Sequence, residues 1–399
     1  MKNSPARKIR VIAAIITFAS FAGTASAQGS VTLYGAIDTA VAWFSHMPTQ
    51  NGGSRGAFLM TASSLSQSMW GLRGTEELGH GFQAIFTIEN GFNPNNGEST
   101  QGNRLFGSQA YIGLSSASAG TVTLGRQYDP LIDLLQPLTG DATFGSAFST
   151  PGDIDNYDSS YRTSNSVKFI SQNYAGWQFG ALYAPGGEGG MGRGQTYAGA
   201  VVYNNGPLGL GAGYFRATNG NVTPSFDGLT PVLSTQCGEN CDSAAISGTF
   251  STASSIQIVR AAANYKMGKV TAGASYSNVQ YRNYQTHDAS SGANRTSFNT
   301  GQVFVNYRLT PAVLLGAGYD YTKGSGNQVS VVYHQFSLGV DYALSKRTDL
   351  YALGGYQRTS GKTWQNGQLL SALASMGDYG NDASGAKQGM VMVGLRHSF

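Results

Sequence analysis

From Val31 onward, apolar and polar residues alternate along the chain with a period of two. In "VTLYGAIDTAVAWF" the odd positions Val31, Leu33, Ile37, Val41 and Trp43 are apolar, whereas Thr32, Asp38 and several alanines hold even positions. A segment built this way is a strand with one greasy face and one wet face. The last segment, "GMVMVGLRHSF", repeats the arrangement with Val391, Val393, Leu395 and Phe399 on one side and Arg396 on the other. We read about sixteen such segments, the first beginning near Val31, the second near Gln67 and the last near Lys387. The spacing of about 23 residues per segment suits a strand of about ten residues plus a connection.

The connections alternate in length. Short ones such as "ELGHG", "SASAG", "NNGPLG" and "LSKRT" are separated by long polar ones at 45–66, 94–104, 128–162, 184–195, 217–254, 283–296 and 360–386. Short turns at one rim and long loops at the other are the signature of a barrel that crosses a membrane with strands. No apolar run outside the N-terminus approaches the length of a membrane helix. A closed barrel still crosses a bilayer, because its backbone groups pair between strands and only alternate side chains meet lipid. Tyr34, Trp43, Tyr174, Trp177, Tyr183, Tyr203, Tyr214, Tyr265, Tyr307, Tyr319, Tyr321 and Tyr342 cluster near strand ends, where amphipathic rings form interfacial girdles.

The first 27 residues predict a secretory signal peptide, with a basic head, an apolar middle and Ala25-Ser26-Ala27 at its end. Residues 28–399 are then a single barrel domain of an exported protein. The four basic residues of that leader bring the chain's 25 Lys and Arg down to 21, level with its 21 Asp and Glu. A chain without net charge gives no support to a nucleic-acid partner. In an exported protein Cys237 and Cys241 are read first as a local disulfide, with free thiols as the alternative. The five histidines, at 46, 80, 287, 334 and 397, lie in unrelated connections and strands, so no metal site, cofactor site or catalytic constellation is expected.

One stretch breaks the pattern. From Tyr128 to Arg162 more than thirty residues pass with six aspartates, little alternation and no basic residue before Arg162. So long an irregular segment within a compact fold is usually functional. Asp129 followed by Pro130 predicts the start of a short helix, and Leu131, Leu134, Leu135 and Leu138 give it one apolar face.

Several motifs resemble the trimeric general diffusion porins of the Gram-negative outer membrane: "SVTLYGAIDTAV", "WGLRGTEELGHGF", "QAYIGLSSASAGTVTLGRQYD", "NGPLGLGAGY", "LSKRTDLYA" and "VGLRHSF". The resemblance covers nearly all of residues 28–399. It implies an all-β fold, a 16-stranded antiparallel transmembrane β-barrel whose third long loop folds into the lumen. It also implies a homotrimer in contact with outer-membrane lipid and lipopolysaccharide, passing small hydrophilic solutes and ions. On that reading Asp129, Asp133, Asp141, Asp153, Asp155 and Asp158 are candidates for the pore constriction, opposed by Arg162, Lys168 and Arg73. Arg260 is a further candidate to reach the lumen. Ala36, Met69 and Ser108 stand where relatives carry basic wall residues, which tilts the expected selectivity toward cations or weak discrimination. Arg126 shares strand parity with Val122 and Leu124, so it is expected to face outward and to be buried at a subunit interface, the alternative being a strand irregularity that turns it inward. A substrate-specific porin, a receptor or adhesin using its long loops, and a barrel enzyme are the rival readings.

Overall fold

The computed structural model describes residues 29–185, 194–218, 253–284, 294–365 and 367–399, together with 246, 250 and 286. The leader and the Cys237–Cys241 segment lie outside the described residues. The strands run β1 (Ser30–Pro48), β2 (Ser54–Ala62), β3 (Met69–Gly79), β4 (Phe82–Gly91), β5 (Gln109–Ser116), β6 (Gly120–Gln127), β7 (Thr163–Ser171), β8 (Trp177–Ala184) and β9 (Thr196–Asn205). They continue with β10 (Leu208–Thr218), β11 (Ser255–Met267), β12 (Val270–Arg282), β13 (Arg295–Arg308) and β14 (Val313–Gly326). The last four are β15 (Val329–Ala343), β16 (Thr348–Gln365), β17 (Gln368–Ser371) and β18 (Lys387–Ser398).

All belong to one sheet of antiparallel neighbours, closed where β1 meets β18 from Ala36↔Ser398 to Phe44↔Met390. Eighteen strands make sixteen staves. Strand β2 pairs with the far half of β1 and β3 with its near half, so the two share a stave. Strand β17 is a short hairpin partner of the β16 tip.

The sheet has inverted polarity relative to a soluble barrel. Val31, Phe58, Ile112, Leu338 and Val391 are each more than half exposed on the outer face. A continuous apolar exterior of this kind is stable only against lipid. Trp177, Tyr265, Tyr307 and Tyr342 are exposed near the short-turn rim, as a girdle requires, and Tyr203 is half-buried against Trp177. Tyr34 is an exception to the expected girdle: it turns inward, and its hydroxyl donates to Glu89 Oε1 at 2.5 Å.

The first connection differs from expectation. Residues 45–66 are not one long loop: β1 and β2 extend as a tall hairpin turning at Thr49–Gly53, with Gly52 N donating to Thr49 O at 2.9 Å. The irregular segment is instead Ser63–Ser68, in the middle of the stave. Asp38 holds it, accepting from Leu65 N at 2.6 Å, Ser66 N at 2.9 Å and Tyr351 Oη at 2.5 Å.

The interior is filled by the third long loop. After the one-turn α1 (Thr100–Asn103) of the preceding loop, the chain enters α2 (Pro130–Leu135), continues through a 3-10 turn, and then forms α3 (Asp141–Phe144). Asp129 accepts from Leu131 N at 2.8 Å and so caps α2 with Pro130 in its first turn, as the sequence predicts. Leu131, Leu135 and Leu138 press against Gly213, Gly211 and Gly209 on the inner face of β10. A Cβ at Gly213 would lie 2.6 Å from Leu131 Cγ, so the row of absent side chains is what lets the helix lie on the wall. Further along, Phe144 is fully buried over Gly316 and Gly339, and Phe148 stacks on it at 4.9 Å beside Gly318.

Candidate functional site: the narrowed lumen

Three segments, not one, fold into the barrel. Ser146 N donates to Ser64 O at 3.1 Å, joining the third loop to the Ser63–Ser68 break. Gly152 N donates to Gly377 O at 2.8 Å, joining it to the last long loop. That loop is fixed to the wall in turn, since Gly377 N donates to Gln335 Oε1 and Ser375 N to Gln357 Oε1. A cavity of about 650 Å³ remains between these segments and strands β1, β3, β4 and the start of β5. Asp141, Asp158 and Asp378 line it from the loops, Glu89 and Arg162 from the wall side. Ala36, Met69 and Ser108, the neutral wall positions, line it too.

The expected charges divide into two groups. Asp141 and Asp158 reach the cavity, whereas Asp129, Asp133, Asp153 and Asp155 brace the loop from behind. Asp153 is 1 % exposed and accepts from Asp158 N, Ser160 N and Ser160 Oγ. Asp155 accepts from Thr150 Oγ1 at 2.7 Å and Ser277 Oγ at 2.5 Å. Asp133 pairs with Lys168 at 2.6 Å, and Lys168 also donates to Tyr128 O at 3.0 Å, so this lysine ties the loop root to β7. Arg260 lies over the Tyr157 ring at 4.4 Å and donates to Asp155 O, which makes it a bracket as well.

Arg162 is different. Its guanidinium stacks on Tyr128 and donates to Gln67 Oε1, Tyr128 Oη, Ser159 O and Ser160 O, all uncharged acceptors. Its charge therefore reaches the cavity without an ion pair among the described residues. Arg73 is exposed on the inner wall over Tyr34, toward the short-turn rim, and does not line this cavity. Arg126 is held within its own chain by Gly107 O at 2.7 Å and Ser164 Oγ at 2.8 Å, beside a register shift between Gly125 and Gln127. A neighbouring subunit is not needed to bury it.

Two acidic residues escaped the sequence reading. Glu89 accepts from Tyr34, Ser108 and Gln109, and Asp378 accepts from Ser160 Oγ at 2.9 Å. Ser160 Oγ lies 2.7 Å from Asp153 Oδ2 as well, so one hydroxyl joins carboxylates from two loops. Burial, with mutual repulsion among these loop aspartates, holds Asp153 and Asp158 well above the ordinary carboxylate range. Burial likewise pushes Asp141 and Asp378 up to about 6.

Replacing Arg162 with Gln is expected to increase the preference for cations, because it deletes the one cation lining the cavity among the described residues while leaving a donor for Gln67 or Tyr128. Reversal potential in a salt gradient measures this. An unchanged value would mean that ions do not pass close to Arg162.

The model of the Gram-negative porin family matches residues 12–362. The chain is 30% identical to an outer membrane porin protein of Bordetella pertussis, over 98% of this chain and 100% of that one. It is 27% identical to outer membrane porin protein 32 of Delftia acidovorans, covering 94% and 96% of the two chains. Among solved structures, an anion-selective porin from Comamonas acidovorans superposes with a TM-score of 0.66 at 23% identity, over 93% of this chain and 100% of that one. The closed barrel, the greasy exterior and these matches lead to one assignment: the chain belongs to the Gram-negative porin family, whose barrels sit in the outer membrane.

Proposed function

We propose that this porin is a passive, water-filled channel for small hydrophilic solutes and ions, with a weak preference for cations. The observation that carries the proposal is the cavity between the loops and the wall, where four carboxylates face one guanidinium. Low-dielectric walls focus such a field on whatever passes. The neutral side chains of Ala36, Met69 and Ser108 add nothing to oppose it. No bond chemistry is part of this reading, and no cofactor or metal is assigned. A homotrimer in contact with lipid and lipopolysaccharide belongs to the same proposal. Gel mobility of unheated protein tests the trimer. Single-channel recording in planar bilayers tests the channel: expected are ohmic, stable conductance steps and a reversal potential of cationic sign. A clearly anionic sign would refute the preference, and no conductance would refute the channel.

The preference should also fade in acid. Asp141 and Asp378 bind a proton as pH falls through about 6, so the cavity loses negative charge between pH 7.5 and 5. The stability of the loop arrangement moves the other way. Their folded pKa values lie above the ordinary 3.8, so the folded loops bind more protons than an unfolded chain in that interval. Stability therefore rises as pH falls through about 6 and stops rising below the unfolded value. The expected result is a smaller cation preference at pH 5 together with unchanged or slower proteolysis of the loops. A preference independent of pH would show that these two carboxylates do not govern permeation.

A further inference from the structure

A second cavity, of about 290 Å³, lies under the third loop on the side of the short turns. It is lined from the wall by Asn264, Lys266, Lys269 and Arg308 and from the loop by Thr139 and Thr143. Among the described residues no carboxylate lines it. Its electrostatic character is thus opposite to that of the narrowed lumen.

The cations sit side by side. Arg308 N donates to Lys269 O at 2.9 Å, and Lys266 pairs in register with Thr271, which pairs with Asn306. Lys266 and Arg308 face the interior, and Lys269 lines the cavity from the β11–β12 turn. On β11 the neighbours Tyr265 and Met267 are 46% and 55% exposed to lipid, and Tyr307 beside Arg308 is 39% exposed, so the intervening side chains point inward. Lipid headgroups outside the barrel therefore do not account for them. Among the described residues Lys269 Nζ and Arg308 Nη1 reach only rim carbonyls, Leu309 O at 3.3 Å and Pro311 O at 3.4 Å, and Asp341 lies in the field of Arg308 without lining the cavity. Lys168 and Arg260, by contrast, are spent on fastening the loop.

Like charges on adjacent strands destabilise a sheet unless something of opposite sign occupies the space between them. The donors here are ammonium and guanidinium groups supplemented by the Asn264 amide and the Thr143 hydroxyl, which accepts from Asn306 Nδ2 at 3.1 Å, while the Thr139 hydroxyl is taken by Gln136 O at 2.7 Å; the set suits a multivalent oxyanion through charge-assisted hydrogen bonds. We propose that this cavity is a binding station for multivalent oxyanions, phosphate-like or polycarboxylate, entered from the short-turn side. The proposal rests on the channel reading and assigns that channel a second, anion-retaining step beneath the acidic one. Such a lumen passes current asymmetrically when the oxyanion is present on one side.

The test is a titration of inorganic phosphate into KCl at pH 7.5, added separately to each side of planar bilayers of neutral phosphatidylcholine. Phosphate on the short-turn side is expected to reduce the KCl current saturably, and the same addition on the other side to act only at higher concentration. In a Lys266→Gln, Lys269→Gln, Arg308→Gln variant the half-blocking concentration should rise at least about tenfold, the loss expected when charge-assisted donors are removed together. The KCl steps of that variant show that it has folded. Equal block from both sides, equal block in the variant, or loss of block in Arg162→Gln instead would overturn the station. Absence of KCl current in the wild type would overturn the channel reading and this inference with it.

Discussion

Replacing Gly316 or Gly339 with leucine is expected to raise pore conductance severalfold. Both glycines form the seat of Phe144, and a side chain at either position overlaps the ring. Overpacking a closed site typically costs about 1–3 kcal/mol. The wall strands are held by ladders on both edges, whereas the loop has only its local contacts, so the loop is the part that yields. Truncation at Phe144 reaches the same end from the other side, because a Phe→Ala void typically costs about 3–5 kcal/mol. Combining Phe144→Ala with Gly316→Leu refills the space, so the double variant should conduct less than either single variant. Single-channel conductance, with protease cleavage of the loop in parallel, checks this. Wild-type conductance in both single variants would place the narrowing elsewhere.

The second large effect is a loss of selectivity. Introducing Met69→Arg together with Ser108→Arg should remove most of the cation preference. Met69 pairs in register with Ala36, and both line the cavity across from the loop carboxylates. Ser108 Oγ already lies 3.2 Å from Glu89 Oε2, so an arginine there also neutralises that acid. Two added guanidiniums bring the cations to three against four carboxylates, which leaves the cavity near balance. The change should grow at low salt, because screening over about 8 Å at physiological ionic strength mutes fields across a pore. An unchanged reversal potential would mean that ions pass along another part of the wall.

Much of the fold was legible in the residues because a barrel writes itself locally: each strand alternates and each turn is marked. The helix of the third loop was legible for a similar reason, since Asp129, Pro130 and the leucine spacing act within a few residues of one another. The orientation of the aspartates was not. Whether Asp153 faces water or turns back on Ser160 depends on how the loop folds over the wall, which no short window encodes. The break at Ser63–Ser68 carries no glycine or proline to mark it and is defined by Asp38, which lies distant in sequence. Asp378 was missed because residues 360–386 look like any polar outer loop until Gln335 and Gln357 draw them inward. The glycine rows on β10, β14 and β15 were visible as composition, but their meaning required the partners that occupy them.

The meeting of three distant segments has a consequence for biogenesis. Tyr351 on β16 secures Asp38 on β1, and Asp378 is presented by the loop that leads into β18. Each of these contacts exists only once the two ends of the sheet have zipped together. The aperture is therefore among the last features to mature. An intermediate with an open seam should be leakier than the finished porin, and a lesion at the seam should register as faulty gating before it registers as unfolding.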